Sequence, residues 1–185
     1  MARTPSQMID LGSPTPDFSL PDTVSGKAFT RDSLRGRVAT VYMFICNHCP
    51  FVKHVNHELV LLANTYASRG ISFVAVSSND AAAYPADGPE QMKDTAMSLQ
   101  YPFPYLYDET QEVARRFDAA CTPDFFVYDH DDKLVYRGQL DDSRPGNDHP
   151  VNGKDMRLAL EALLAGKEVS ATQKPSIGCN IKWRG

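Results

Sequence analysis

No stretch of this chain approaches the ~20 consecutive apolar residues that span a bilayer, so no membrane segment is read from it. The opening residues, Met1-Ala2-Arg3-Thr4-Pro5-Ser6-Gln7-Met8, lack the apolar core of a secretory signal, and a cytoplasmic location is expected. Basic residues are not in excess. With 19 Lys and Arg against 23 Asp and Glu the net charge is −4, which argues against nucleic acid or an anionic membrane surface as partner. Cysteine is scarce as well: four in 185 residues, Cys46, Cys49, Cys121 and Cys179, are too few and too scattered to scaffold a disulfide-rich secreted domain. In a reducing compartment, two thiols as close as Cys46 and Cys49 point to catalysis, redox sensing or metal binding. No repeat, low-complexity tract or linker interrupts the chain. Its 42% hydrophobic and 23% charged content fits one globular domain over residues 1–185.

What the chain does have is an alternation of strand and helix patterns. Residues 17–20 and 27–30, separated by Pro21 and Gly26, read as a short hairpin. Residues 38–45 form a continuous apolar, β-branched and aromatic run, the pattern of a strand buried on both faces. Pro50 suits a first helical turn; Phe51, Val55, Leu59, Leu62 and Tyr66 follow at helical spacing, and Gly70 suits the C-cap. Residues 71–76 are a second buried strand, expected parallel to the first. Short helices are read at 90–99 and 109–117, a hairpin at 125–128 and 134–138, a solvated polar loop at 141–154 and a helix at 155–164. Residues 167–185 are expected as an irregular C-terminal tail packed on the body.

Cys46-Asn47-His48-Cys49 lies where the first buried strand gives way to the helix at Pro50. Cysteines at i and i+3 across such a turn can close a small disulfide with little backbone movement. Unpaired N–H groups at the helix start stabilise a thiolate, and this reading puts it on the first sulfur, Cys46. His48, when protonated, adds to that effect. The motif resembles the Cys-x-His-Cys sites of disulfide isomerases and of strongly oxidising thiol oxidases.

Thr122-Pro123-Asp124-Phe125-Phe126-Val127 is similar to the segment of the thioredoxin family that carries a cis proline opposite its Cys-x-x-Cys loop. The α/β pattern as a whole resembles the thioredoxin fold: a central mixed β-sheet flanked by helices, with an N-terminal β-hairpin and a helical insertion. Pro16-Asp17-Phe18-Ser19-Leu20-Pro21-Asp22 with Gly26-Lys27 looks like the opening of the alkyl hydroperoxide reductase/thiol-specific antioxidant (AhpC/TSA, redoxin) family. Within it the chain most resembles a peroxiredoxin-like subgroup with Cys-Asn-His-Cys-Pro-Phe, Cys-Thr-Pro-Asp-Phe-Phe and a Gly-Cys-x-Ile-Lys-Trp tail.

The resemblance implies an oxidoreductase acting on thiols and disulfides. Cys46 is the expected nucleophile, Cys49 the resolving thiol, His48 the pKa modulator, and Thr122 and Pro123 the substrate-presenting element. Cys121 and Cys179 are candidate additional redox thiols, with simple packing as the competing reading. The alternative is a thiol-dependent peroxidase, an antioxidant with Cys49 peroxidatic. Against it, the family's peroxide-holding Thr position carries Cys46, its upstream proline position carries Tyr42, and its charge-stabilising Arg position carries Pro123. A second alternative is a copper or zinc chaperone using Cys46, His48, Cys49, His54 and His57, although the spacing disfavours it and His54 and His57 read as an exposed helix face. No cofactor or resident metal is expected. The implied partners are a protein or small-molecule disulfide or a peroxide, and a thiol reductant such as a thioredoxin or glutathione system; an oligomer is left open.

Overall fold

A computed structural model describes residues 3–185. The chain runs β1 (Arg3–Pro5), β2 (Ser19–Pro21), β3 (Ala28–Thr30), β4 (Ala39–Phe44), α1 (Pro50–Tyr66), β5 (Ile71–Ser77), α2 (Pro89–Ser98), β6 (Tyr105–Tyr107), α3 (Glu112–Arg116), β7 (Cys121–Thr122), β8 (Asp124–Asp129), β9 (Leu134–Arg137), α4 (Lys154–Leu164) and β10 (Ile177–Asn180). The central sheet has the order β6-β5-β4-β8-β9. Strands β4, β5 and β6 are parallel, β8 runs antiparallel to β4, and β9 runs antiparallel to β8.

Every residue of β4 is buried, as a strand with helices on both sides requires. Alternate side chains divide between two cores. Ala39, Val41, Met43 and Ile45 pack with α1, α2 and α4, through Leu59, Met92 and Leu160 among others. Tyr42 and Phe44 face the other way, onto Phe117 and the hairpin residues Phe18 and Leu20. Tyr42, Phe44, Phe117, Phe126 and Tyr128 meet there edge to face, with ring centroids 5.2–5.9 Å apart. Helix α1 ends in a 3-10 turn, Ala67–Arg69, that Gly70 closes at φ +93° before β5 begins.

Three segments differ from the sequence reading. Strand β6 was not expected after Pro102 and Pro104, yet Tyr105, Leu106 and Tyr107 pair in parallel with Ala75, Val76 and Ser77. The loop after β9 is not simply solvated. Asp141 is buried, and its carboxylate accepts the N–H groups of Ser143, Asn152 and Gly153 at 2.9, 2.8 and 2.7 Å, which fold the loop around one charge.

The tail is the third and largest difference. It is not irregular throughout, because β10 lies between β1 and β7 in a separate antiparallel sheet, with Cys179 opposite Thr122 and Asn180 opposite Cys121. Gly178 permits this approach: a Cβ there would fall on the Thr122 carbonyl. Among the described residues no helix is long and apolar enough to cross a membrane.

Asp124, at the start of β8, is fully buried and accepts the Ala120 N–H at 3.0 Å. Burial pushes its carboxyl up from 3.8 to about 7, against the pull of the nearby N–H groups of Ala120, Cys121 and Phe125. The unfolded chain therefore ionises this group near pH 4 while the folded chain keeps its proton to about 7. Stability should fall as pH rises through that window, by on the order of 4 kcal/mol for this group, and level off above it. Asp124→Asn should remove this slope in urea melts at pH 4 to 8. A difference between the two proteins that does not change with pH would contradict the assignment.

Candidate active site

The turn from β4 into α1 carries Cys46, Asn47, His48 and Cys49, and Cys49 is the N-cap residue of α1 with Pro50 next. A buried carboxylate from the loop before α2 holds this turn. Oδ1 of Asp87 accepts the N–H groups of Asn47 and His48 at 2.8 and 3.2 Å, and Oδ2 accepts from the Asn79 side chain at 2.8 Å. The His48 ring hydrogen-bonds through Nδ1 to the same Oδ2 at 2.5 Å and stacks on Tyr84 with centroids 5.5 Å apart. With Nδ1 donating, Nε2 of a neutral imidazole is the acceptor nitrogen. Asn79 continues the chain of bonds, because its Oδ1 accepts the Lys182 N–H at 2.8 Å from the C-terminal tail.

Across from the turn stand Thr122 and Pro123, joined by a cis peptide bond. The Cys46 sulfur is 3.5 Å from the Thr122 hydroxyl, and the Cys49 sulfur is 3.2 Å from the Thr122 carbonyl oxygen. Cys179 joins them from β10, its sulfur 2.8 Å from that of Cys49. The structure thus brings Cys46, Cys49, Thr122, Pro123 and Cys179 together. Cys121 lies beside them in sequence, but its thiol turns to the Pro123 carbonyl at 3.5 Å, and burial pushes that thiol far up. No disulfide links any of the four cysteines, and exposures of 2, 0, 0 and 1% for Cys46, Cys49, Cys121 and Cys179 leave none of them at the surface.

The surroundings of the pair favour a thiolate on Cys49, whereas the sequence reading expects it on Cys46. The neighbouring Cys46 thiol is the largest influence holding the Cys49 thiol down. Cys179, the Thr122 hydroxyl and the Val52 N–H in the first turn of α1 add to it, and together they outweigh burial to bring the thiol down to about 5. With its proton on, Cys49 instead donates to the Thr122 carbonyl and to Cys179. The same proximity to Cys49, together with burial and the nearby Asp87 charge, pushes the Cys46 thiol up. Burial, then the contact with Cys49, pushes Cys179 up to about 12.

Ligand atoms of Cys46, His48 and Asp87 lie within 4.8 Å of one another, the atom types that zinc or copper(I) would take. Both Asp87 oxygens, however, already accept two hydrogen bonds each, and a metal would have to displace some of them. His54 is not simply an exposed helix residue: it is half-buried, with Nε2 2.7 Å from the Ser143 hydroxyl. His57 is exposed. Arg144 lines a small crevice with Phe51, Pro123 and Ile177 beside the dithiol turn. Arg137 instead reaches the Ile9 carbonyl and Gln173. Sequence reasoning missed Asp87 and Asn79, since an Asp in a loop ordinarily signals solvent.

Residues 10–154 match the family model described as Redoxin. The chain belongs to the redoxin family. Its architecture, a mixed sheet flanked by helices, is the thioredoxin fold of the AhpC/TSA redoxins. This redoxin is 59% identical to an uncharacterized conserved protein from Geobacillus kaustophilus whose crystal structure superposes with a TM-score of 0.98, covering 100% of this chain and 97% of that one. It is 47% identical to a hypothetical protein from Sinorhizobium meliloti, with a TM-score of 0.96 and coverage of 98% and 99%. Among curated proteins it is 29% identical over 136 residues to the thiol:disulfide interchange protein DsbE of Allochromatium vinosum; the match takes in 69% of this chain but 64% of that protein's length. A thiol:disulfide interchange protein of Chlorobium tepidum shares the fold, with a TM-score of 0.64, 22% identity and coverage of 84% and 99%. So does the peroxidoxin BcpB of Mycobacterium tuberculosis, with a TM-score of 0.61, 21% identity and coverage of 84% and 96%.

Two measurements check this geometry. The ultraviolet thiolate absorbance of the reduced redoxin should titrate in one step near pH 5, be lost in Cys49→Ser and move upward in Cys46→Ser. Survival of the step in Cys49→Ser would place the charge on another sulfur. Asp87→Ala strips the acceptor from two backbone amides and the Asn79 side chain, so it should lower unfolding stability by about 3 kcal/mol or more. A loss well under 1 kcal/mol would mean that the network does not hold the turn.

Proposed function

We propose that this redoxin is a thiol–disulfide oxidoreductase whose redox pair is Cys46 and Cys49. The observation that carries the reading is the placement of both sulfurs at the strand-to-helix turn against one residue, Cys46 on the Thr122 hydroxyl at 3.5 Å and Cys49 on the Thr122 carbonyl at 3.2 Å, beside the cis bond to Pro123. Pro123 stands where a peroxidase of this family would place its arginine, and loss of such a donor costs on the order of 10²–10³ in rate.

In the exchange, Cys46 attacks one sulfur of a substrate disulfide while its proton passes to the Cys49 thiolate. One half of the substrate leaves as a thiolate and takes a proton from solvent. Cys49 then gives up its proton, attacks the Cys46 sulfur and expels the second half. Two protein thiols become a disulfide, and the substrate disulfide becomes two thiols. The His48 ring, held by Asp87 within 4.8 Å of the Cys46 sulfur, favours the Cys46 thiolate when it is protonated. Thr122 positions both sulfurs. In a reducing compartment such as the cytoplasm, a thioredoxin or glutathione system would return the pair to thiols.

The thiolate on Cys49, at the start of α1, favours a second reading as a peroxidase. Cys49 would attack hydrogen peroxide, releasing hydroxide and becoming a sulfenic acid, and the Cys46 thiol would then condense with it to a disulfide and water. Stopped-flow thiol loss separates the readings, comparing one equivalent of hydrogen peroxide with one equivalent of a small aromatic disulfide and mapping the products by mass spectrometry. Fast exchange with the disulfide and slow oxidation by peroxide are expected, with turnover abolished in Cys46→Ser and mixed disulfides accumulating in Cys49→Ser. Fast oxidation through a sulfenic acid at Cys49 would overturn exchange as the main activity.

A further inference from the structure

The C-terminal strand is placed as a reactant would be placed. β10 pairs with the two residues of β7, so that Cys179 faces Thr122 across the ladder. It is pinned on its other edge by β1 and further along by the Ser176 hydroxyl, which donates to the Pro123 carbonyl at 2.7 Å. The glycine before Cys179 lets the backbone approach Thr122 closely. Beyond the strand, the Lys182 N–H continues through Asn79 and Asp87 to the His48 ring. These contacts deliver one side chain, that of Cys179, to one atom, the Cys49 sulfur, at 2.8 Å. That is closer than non-bonded sulfurs normally sit and longer than the ~2.05 Å of a disulfide bond. Cys49 is also the proposed disulfide partner of Cys46 across the turn, so it is the sulfur that Cys46 and Cys179 share. Thiol–disulfide exchange requires this order: the attacked sulfur lies between the incoming and the leaving one.

We infer that Cys179 is a third redox thiol of this site, which takes the disulfide from Cys46–Cys49 to Cys49–Cys179 and so bonds the C-terminal strand to helix α1. The inference rests on the reading of Cys46 and Cys49 as the redox pair. Cys179 attacks the Cys49 sulfur of the Cys46–Cys49 disulfide, a Cys49–Cys179 bond forms, and the bond to Cys46 breaks. Cys46 leaves as a thiolate and receives the proton that Cys179 gives up. One disulfide replaces another, with no net oxidation and no further reactant. While Cys49 is anionic, burial and its charge keep the proton on Cys179. Once Cys49 is in a disulfide that charge is gone, and one obstacle to the Cys179 thiolate goes with it. The transfer returns Cys46 to the thiol form, ready to meet a second oxidising equivalent.

The test is a disulfide map of the full chain oxidised with one equivalent of hydrogen peroxide or of a small aromatic disulfide, quenched in acid and digested with trypsin. Cys46 and Cys49 lie in peptide 38–53 and Cys179 in peptide 168–182. The expected result is a 38–53/168–182 cross-link in wild type, absent from Cys49→Ser and from Cys179→Ser, while Cys179→Ser still forms the Cys46–Cys49 loop. Wild-type protein that holds only the Cys46–Cys49 loop, with Cys179 alkylated as a thiol throughout, would overturn the inference and leave the proposed redox pair standing. A cross-link in wild type together with no Cys46–Cys49 loop in folded Cys179→Ser would overturn the proposed redox pair and with it the transfer, leaving Cys49–Cys179 as a disulfide formed directly. Absence of the cross-link from the wild-type map overturns the inference by itself, so a variant that fails to fold does not shelter it.

Discussion

A carboxylate without solvent must be met by donors, and in this protein that one requirement, at Asp87, organises the site. Removing such a charge from water without compensation is prohibitive. Asp87, with no solvent exposure, draws in two backbone amides of the dithiol turn, the His48 ring and the Asn79 side chain. The position of Cys46 and Cys49 is therefore set by the amides between them, not by the sulfurs, and the turn can change redox state without losing its frame. Asn79 extends the same constraint to the tail through Lys182, and Gln111 adds to it by donating to the Lys182 carbonyl at 2.8 Å. Loop, turn and C-terminus share one anchor.

The second organising element is β7, only two residues long. Its Thr122 touches both sulfurs of the dithiol through two different groups, hydroxyl and carbonyl, while its backbone pairs with β10. A residue that serves as sulfur contact and ladder partner at once couples the chemistry of the turn to the seating of the tail. Neighbours of the same fold carry names from both disulfide interchange and peroxide chemistry. The difference between such activities lies in the groups around the helix N-terminus rather than in the scaffold.

Much of this was legible in the chain. The strand at β4, the helix opened by Pro50 and closed at Gly70, and the hairpin of β8 and β9 follow from apolar runs and turn residues that act locally. The dithiol motif and Thr122-Pro123 stood out for the same reason. What escaped the sequence depends on partners far away. Strand β10 contains a glycine and an asparagine and reads as irregular until its neighbours β1 and β7 are known. Asp87 and Asp141 look like solvated loop residues because nothing local says that backbone amides will converge on them. That Cys179, 130 positions on, arrives at the Cys49 sulfur is likewise invisible until β10 is seated beside β7.

The burial of the reactive sulfurs, none more than 2% exposed, also sets how this protein can respond in time. A disulfide reaches these sulfurs when the turn, the loop before α2 or the tail moves aside, so the fast exchange expected of this site requires that opening to be rapid. The observed rate is then the intrinsic rate scaled by the small fraction of molecules that are open. At high reactant concentration it reaches a ceiling set by opening alone, the same for chemically different reactants. Packing around the thiols thus acts as a clock as well as a shield, limiting how often the protein can fire however much oxidant surrounds it.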